Sequence, residues 1–149
     1  SVVPCEGQGI AVSVVTEFQL LRALENADVS EIQLQSPSIN LVDSAIWPVS
    51  GVEVTKRKIL IGDERRCNGH CEVTISHHIR SAPQDRRFAR VHSGGNLTVQ
   101  NIMFKDGNSD LISTLSGGGV GGALYVEIGS HVTLDNVVFF GNGVFGGWG

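Results

Sequence analysis

The sequence predicts an all-β protein, a parallel β-helix of a few coils with one short capping α-helix near its amino-terminal end. Three observations lead to this prediction. The chain has 19 glycines in 149 residues, well above the usual glycine content of about 7%. Beyond residue 30, apolar and polar residues alternate with the two-residue spacing of β-strands. Finally, one strand-like segment recurs 35 residues further along, as expected of stacked structural repeats.

Length, charge and hydropathy limit the possible classes of protein. A chain of 149 residues forms one domain, 1–149, with a cap strand and helix in 1–30 and coils in 31–149. A net charge of −4 argues against a nucleic-acid partner or an anionic membrane surface. No apolar stretch approaches the roughly 20 residues of a membrane span, so we expect no transmembrane segment. The start at Ser1, without Met or a signal-peptide pattern, indicates a removed leader or a piece of a longer product.

The first elements are a strand over 10–15 and a short amphipathic helix over 17–27. Thr16 followed by Gln19 is a capping-box pattern, which satisfies free backbone N–H groups at the start of a helix. Apolar residues with helical spacing follow it: Phe18, Leu20, Leu21 and Leu24. We expect this helix to cover the amino-terminal end of the stacked coils.

Short strands separated by turns follow the helix. Apolar pairs two residues apart are Ile32/Leu34, Ile39/Leu41, Val52/Val54, Ile59/Ile61 and Val73/Ile75, and another strand is predicted over 88–92. The turn residues between them are Pro37, Asp43, Pro48, Gly51, Gly62 and Asn68–Gly69. This pattern is typical of a β protein with many turns.

The repeat relates residues 90–104 to residues 125–139. Five of the fifteen positions are identical and three more are similar apolar residues. Asn101 and Asn136 interrupt the alternation at the same place in each copy. Because Asn tolerates left-handed backbone, each strand is expected to turn a corner there, where stacked amides can hydrogen-bond. This predicts parallel coils rather than a sandwich, whose strands would be joined by two-residue hairpins.

Two short motifs in the last third carry a family resemblance. The motif residues are Gly121, Gly122 and Ala123 of a G-G-A-[ILV] motif, and Phe139 and Asn142 of an F-x-x-N motif. With these motifs the chain resembles the right-handed parallel β-helices of the pectin-lyase-like type. It is most similar to their polymorphic-outer-membrane-protein-like and algal cell-surface members. The earlier segment Phe104–Asn108 departs from the pattern by one extra residue, and no G-G-A motif precedes it. The resemblance implies a right-handed β-helix that is an adhesin, a structural module or a polysaccharide-cleaving enzyme.

The three cysteines predict a local disulfide. The Asn68–Gly69 turn lets Cys67 and Cys71 approach each other, so we expect them to be bonded. Cys5 is then buried or paired with another chain. The alternative is a zinc site, whose further ligands would come from His70, His77 and His78. The second half of a zinc-ribbon pattern is missing, which favours the disulfide.

Asn96-Leu97-Thr98 is a sequon, which makes Asn96 a candidate for glycosylation. Together with the expected disulfide, it favours an extracellular or cell-surface location, with a lumenal or periplasmic compartment as the alternative.

No pattern in the chain predicts a cofactor, a metal site or a catalytic residue. The G-x-G-x-x-G matches at 117–122 and 141–146 do not open a helix, so we interpret their glycines as turn residues. The candidate acids are Asp106, Asp110, Glu127 and Asp135. The 35-residue offset places Glu127 beside His92 and Asp135 beside Gln100, which makes no ladder of acids. Calcium at Asp106 and Asp110 remains an alternative.

Three small basic clusters occur: Lys56–Lys58, Arg65–Arg66 and Arg86–Arg87. We interpret them as solvated loop faces, with a docking patch for a partner or an anionic glycan as the alternative.

The carboxyl-terminal end of the stack decides the functional interpretation. The segment 143–149 follows a strand, and Phe145 and Trp148 could fold back as a plug. Otherwise the coils are incomplete or a partner caps them, which we favour, because an open coil exposes a strand edge. We therefore predict a non-catalytic structural or adhesive module that docks other subunits or glycans. The alternatives are a fragment of a polysaccharide lyase or hydrolase, and an accessory scaffold subunit of a larger assembly.

Overall fold

The structure, a computed structural model, describes residues 9–41, 46–48, 51–63, 73–77, 87–107 and 122–142. In chain order the elements are β1 (Ile10–Val14), α1 (Glu17–Glu25), β2 (Val29–Leu34), β3 (Ser38–Leu41), β4 (Val52–Val54), β5 (Arg57–Gly62), β6 (Val73–His77), β7 (Ala89–Val91), β8 (Asn96–Lys105), β9 (Leu124–Val126) and β10 (His131–Phe140). Every pair of neighbouring strands among them is parallel. The predicted all-β class with one short helix is confirmed.

Helix α1 begins at the predicted capping box. Thr16 Oγ1 accepts a hydrogen bond from the backbone N–H of Gln19 at 3.2 Å, and Gln19 Oε1 accepts one from the N–H of Val15 at 2.9 Å. The helix ends at Glu25, two residues earlier than predicted, because Asn26 is already extended, with φ −76° and ψ 118°. Its buried side chains, which pack towards β1, β2, β3 and β4, are Leu20, Leu21, Ala23 and Leu24.

The strands form two parallel sheets. The larger has seven strands in the order β1-β2-β5-β8-β6-β3, with β10 paired to β8, and the smaller has the order β4-β7-β9. Strand β8 pairs with β5 through its first half, Asn96–Gln100, and with β6 through its second half, Ile102–Lys105. Each half of β8 therefore pairs with a different strand, and the larger sheet curls between the two halves.

The bend in β8 lies at Asn101. Its φ of 59° is in the left-handed region, which Asn reaches at lower cost than other residues with a Cβ. Gly62, at the end of β5, lies directly against the carbonyl oxygen of Asn101 and leaves no room for a Cβ. A glycine at this position thus lets the bend of β8 pack closely on the end of β5.

The core lies between the two sheets. Strand β8 contributes four buried side chains: Leu97, Val99, Ile102 and Phe104. The smaller sheet faces them with buried residues that include Val54, Ala89 and Val91. An aromatic stack crosses the core, with ring centroids 5.4 Å apart for Trp47 and Phe88 and 4.9 Å apart for Phe88 and Phe104. Burial of side chains this large contributes roughly 1.5–3 kcal/mol each to folding.

Two residues of the basic clusters are not solvated, which corrects the sequence prediction. Lys58 is 4% exposed and Arg87 is fully buried. Lys58 lies on the inner face of β5 with Leu60 and Gly62, so Ile59 and Ile61 occupy the other face, where they are half-buried. Burial, with a smaller contribution from Lys56, lowers the pKa of the Lys58 ammonium, although Asp28 opposes this.

Arg87 is buried against an aromatic ring. The centre of its guanidinium lies 4.9 Å from the ring centroid of Tyr125, a cation–π distance. Burial lowers the pKa of Arg87, and the nearby charge of Arg90 adds to this effect. For Lys58, counting adjacent charges along the chain failed because neighbouring residues of a strand face opposite sides. Arg87 precedes β7, and Phe88 and Ala89 after it are also buried, so no alternation in the sequence marks it.

Within the described part of the chain, no helix has the length and apolarity that crossing a membrane requires.

Candidate functional site

Strand β10 carries apolar side chains that continue the core but are open to solvent. In the parallel register with β8, Leu134 lies beside Val99 and Phe139 beside Phe104. The two β8 residues are buried, whereas Leu134 and Phe139 are each 46% exposed. We call the four inward-register residues of β10 the β10 face: Val132, Leu134, Val137 and Phe139. Among the described residues, no strand pairs with the outer edge of β10, so this face is where the apolar core meets solvent.

The two repeat asparagines are stacked at the bend. Asn136 has φ 52°, close to the 59° of Asn101. Nδ2 of Asn136 donates a hydrogen bond to Oδ1 of Asn101 at 3.0 Å. The amide of Asn136 is therefore oriented with its nitrogen towards β8. No described residue donates to its Oδ1 atom, which remains an available acceptor at the outer edge.

Phe139 is the last ring of the aromatic stack in the described residues. Its centroid lies 5.5 Å from that of Phe104, and the two ring planes are 19° apart. Phe139 thus has a ring partner on its β8 side and none on its outer side within the described chain. Phe140 beside it is 60% exposed, with Nζ of Lys105 5.8 Å from its ring centroid.

Asn142, the asparagine of the F-x-x-N motif, joins the segments that follow β10 and β8. Its Nδ2 donates to the carbonyl oxygen of Phe104, and its Oδ1 accepts from the N–H of Gly107, both at 2.8 Å. Both positions of the F-x-x-N motif, Phe139 and Asn142, therefore contact residues at the end of β8 or just after it. The motif residues thus hold the end of β10 against the end of β8.

A polar network covers the outer surface of the smaller sheet. Register places Glu53 of β4 beside Arg90 of β7, and Arg90 beside Tyr125 of β9. Nε of Arg90 donates to Oε1 of Glu127 at 2.8 Å. Nδ1 of His92 lies 3.1 Å from Oε2 of Glu127, and its Nε2 lies 3.3 Å from Oε1 of Glu53. The network thus joins three successive strands.

The Glu127 carboxylate contacts three other residues of this network: Arg90, His92 and Ser93. The hydrogen bond from Arg90 lowers the pKa of Glu127, and the N–H of Ser93 and His92 act in the same direction, while desolvation opposes them. Both carboxylate oxygens of Glu127 have partners within the protein, Arg90 at Oε1 and His92 with the N–H of Ser93 at Oε2.

The same network is a poor metal site. Glu53 and Glu127 contact different ring nitrogens of His92, so the two carboxylates do not converge on one point beside the ring. Among the described residues, no group of three or more His, Cys, Asp or Glu side chains could hold a metal ion.

Sequence reasoning found only half of this network. The 35-residue repeat placed Glu127 beside His92. Glu53 was missed because β4 is not part of the repeat, and Arg90 was missed because the repeat aligns it with Tyr125 rather than with Glu127. The alternation in Val52–Val54 and in Ala89–Val91 is the signal that could have found them, since it puts Glu53 and Arg90 on the outer face.

The remaining candidate residues are dispersed over the structure. Asn96 is half-buried at the start of β8, between Arg57 and His131 in the register. Asp106 follows β8 with φ 61°, and Asp135 is exposed beside Gln100. Ala123 is buried, and its carbonyl oxygen accepts from the N–H of Phe88 at 2.8 Å.

Other predictions concern residues outside the described ranges. These residues are Cys5, Cys67, Cys71, His70, His78, Asp110, Gly121 and segment 143–149. His77 is the last residue of β6, where it pairs with Leu41 of β3. The disulfide and its zinc alternative therefore remain predictions.

Comparison of the chain with protein-family models, with curated proteins and with solved structures finds no match.

Proposed function

We propose that this chain is a non-catalytic module with a right-handed parallel β-helix fold, which docks another protein subunit through the β10 face. One observation carries the proposal. The side-chain positions that are buried in β8 are occupied by equally apolar residues in β10, yet Leu134 and Phe139 are each 46% exposed there. An apolar face beside an unpaired strand edge is characteristic of surfaces that associate with other chains.

The β-helix architecture is supported by the way the strands repeat. Strands β8 and β10 pair in one continuous parallel register, interrupted only at the asparagine bend. Parallel strands require crossover connections, and such connections are right-handed in about 98% of cases. The same principle applies to the series β4, β7 and β9, which are also parallel.

The two ends of the described core differ, which favours docking at one end. At the β1 end, the buried face of α1 covers the core with Leu20, Leu21 and Leu24. At the β10 end, no described element covers Leu134 or Phe139. A covered side and an open side of the described core favour a module that joins a partner through the open side.

A non-catalytic function is supported by the distribution of acids. Hydrolysis of a glycosidic bond requires two carboxyl groups separated by roughly 5–9.5 Å, flanking a site that is open to substrate. Glu127 is held by Arg90 and His92, and Asp135 and Asp106 lie on different parts of the coil surface. An extracellular or cell-surface location is part of the proposal, on the strength of the Asn96 sequon and the expected Cys67–Cys71 pair.

Site-specific photo-crosslinking tests the proposal in cells that make the protein naturally. The photoreactive residue replaces Phe139 in one variant (Phe139→p-benzoylphenylalanine) and Leu134 in a second. Thr133, exposed on β10 but outside the β10 face, is the matched control. We expect one identified polypeptide to be linked from positions 139 and 134 at least fivefold more than from position 133. Equal labelling from all three positions, or none from the β10 face, would overturn the proposal.

A further inference from the structure

The imidazole ring of His92 lies between two carboxylates on the outer surface of the smaller sheet. Its Nδ1 atom lies 3.1 Å from Oε2 of Glu127, and its Nε2 atom lies 3.3 Å from Oε1 of Glu53. Glu53 belongs to β4, whereas Glu127 directly follows β9. Because the strand order is β4-β7-β9, one ring that follows β7 contacts a side chain from each of the two outer strands or their ends.

The number of protons on the ring decides how many of these contacts are favourable. A neutral imidazole has one N–H donor and one bare nitrogen, whereas the protonated ring donates from both nitrogens. An ionised carboxylate only accepts hydrogen bonds. Neutral His92 can therefore donate to Glu53 or to Glu127, and its other nitrogen then presents a lone pair to a negative charge. Protonated His92 can donate to both.

The Nε2 atom of His92 is shielded from water. It is buried and forms no hydrogen bond within the described structure, although Oε1 of Glu53 is 3.3 Å away. A bare nitrogen at this place is desolvated and also faces a carboxylate, which is unfavourable. The Glu53 side chain is 66% exposed, so its carboxylate has room to align with a proton on Nε2.

The charges in contact with the ring balance when His92 is protonated. The charged and titratable side chains of β4, β7, β9 and their flanking residues in this network are Glu53, Arg87, Arg90, Tyr125 and Glu127. Arg90 forms an ion pair with Glu127, and its hydrogen bond lowers the pKa of Glu127, so this carboxylate is ionised wherever histidine titrates. Among the described residues, Glu53 forms an ion pair with His92 alone. A proton on His92 therefore supplies the positive charge that Glu53 otherwise lacks.

The two contacts of the ring are unequal. The contact between Nδ1 and Glu127 has hydrogen-bond geometry, and the Glu127 side chain is only 23% exposed. The contact with Glu53 is longer, and a well-exposed carboxylate regains water when it is released. The neutral ring is therefore expected to keep its proton on Nδ1, towards Glu127, and to lose the contact with Glu53.

We propose that His92 is a pH-sensitive connection between β4 and the rest of the smaller sheet. The protonated ring donates to Glu53 and Glu127 and holds β4 in place. Histidine side chains titrate between about pH 5 and pH 8, so a rise of pH through this range removes the proton from Nε2 and releases Glu53. In the described structure β4 has three residues and pairs only with β7, so loss of this contact loosens an edge strand.

Nuclear magnetic resonance of the purified full chain tests the protonation directly. Long-range proton–nitrogen correlation spectra show how many nitrogens of a histidine ring carry a proton, and which one keeps it in the neutral form. His92→Gln identifies the His92 signals among those of the five histidines. We expect both nitrogens to be protonated at about pH 5.5 and Nδ1 alone at about pH 8. The same protonation state at both pH values, or a neutral ring protonated on Nε2, would overturn the inference.

The variant Glu53→Gln tests the contribution of the β4 carboxylate, since it removes the charge and keeps the size of the side chain. It should lower the titration midpoint of His92 by about 0.5–1 pH unit, because a nearby negative charge favours the protonated ring. Asp135→Asn is the matched control, which removes an exposed carboxylate from a strand of the larger sheet. It should leave the midpoint unchanged. Equal midpoints in the wild type and Glu53→Gln would contradict the role of Glu53.

Amide hydrogen exchange tests the consequence for β4. The N–H of Val52 donates to the carbonyl oxygen of Phe88, and the N–H of His92 donates to that of Val54, both at 3.0 Å. After correction for the intrinsic pH dependence of exchange, protection of both amides should fall about three- to fivefold between about pH 5.5 and pH 8, as for loss of a partly exposed ion pair. In Glu53→Gln it should not change with pH. Constant protection in the wild type, or an equal fall in Glu53→Gln, would show that the ring does not hold β4.

Far-ultraviolet circular dichroism and denaturant unfolding at about pH 5.5 first establish that both variants are folded. Glu53 is on the exposed face of β4, so Glu53→Gln leaves the core unchanged, and its comparison with the wild type decides the question even if His92→Gln is unfolded. None of these readouts involves the β10 face. A negative result therefore overturns this inference and leaves the proposed docking function standing.

Discussion

The ammonium of Lys58 donates a hydrogen bond to the carbonyl oxygen of Asn26 at 2.6 Å. It also donates to the carbonyl oxygens of Ala23, at 3.4 Å, and Val29. Ala23 is in the last turn of α1, Asn26 directly follows the helix, and Val29 is the first residue of β2. A cation at a helix carboxyl terminus is favoured by the partial negative charge of the last carbonyl groups. Lys58 therefore joins β5 to the capping helix from inside the protein.

Replacement of Lys58 tests this connection. Lys58→Met keeps most of the side-chain volume but leaves buried carbonyl oxygens without their donor, so the free energy of unfolding should fall by about 2–4 kcal/mol. Lys56→Met removes a nearby exposed lysine and should change it by less than about 0.5 kcal/mol. Denaturant unfolding measures both. Equal effects of the two substitutions would show that the ammonium does not stabilise the helix end.

Asn136 is expected to stabilise the bend in two separable ways. Asn136→Ala removes the side-chain hydrogen bond to Asn101 and places alanine at φ 52°, so it should lower the free energy of unfolding by about 2 kcal/mol. Asn136→Gly removes the same hydrogen bond but tolerates the backbone conformation. We expect glycine to cost about 1 kcal/mol less than alanine. A glycine variant that is no more stable than the alanine variant would contradict the role of left-handed backbone.

Phe104 and Phe139 occupy equivalent positions but differ in burial. Phe104→Ala should lower the free energy of unfolding by about 3–5 kcal/mol, as for other buried phenylalanines. Phe139→Ala should cost less than half as much, because this ring is 46% exposed in the isolated chain. The comparison uses urea unfolding of the purified protein. Similar losses for the two variants would mean that Phe139 is covered in solution.

The pH dependence of stability should report the network around Glu127. Its pKa is lowered in the folded state, chiefly by Arg90, so the unfolded chain takes up this proton first as pH falls. The stabilisation is complete above the unfolded value of about 4.3 and is lost as pH falls through the lowered folded pKa. The stability advantage of the wild type over Glu127→Gln should therefore shrink below about pH 4.3.

Unfolding midpoints between pH 7 and pH 2.5 measure this advantage. Glu25→Gln, an exposed carboxylate outside the network, reports the effect of removing a surface charge alone. An advantage over Glu127→Gln that stays constant across the range would show that Arg90 does not hold the Glu127 carboxylate.

Much of the fold could be predicted because its signals are local. Helix α1 follows from a capping box and an apolar face, and the strands follow from alternation, although the helix is two residues shorter than predicted. The face of β5 could not be predicted in this way. Its apolar residues are consecutive, and the buried set with Leu60 includes Lys58 rather than Ile59. A charged residue faces inward there only because carbonyl oxygens of α1 and the following turn are within reach.

The pairs that lie side by side in β8 and β10, such as Asn101 with Asn136 and Phe104 with Phe139, could be predicted from the sequence alone. The parallel register of β8 and β10 keeps a constant offset of 35 residues, so the 35-residue repeat is enough to align them. The tertiary structure was needed to show which residues meet outside the repeat, such as Glu53 with His92, and which side chains of β10 are exposed to solvent. Connection length and burial depend on how the whole chain closes around its core, and neither is expressed in local periodicity.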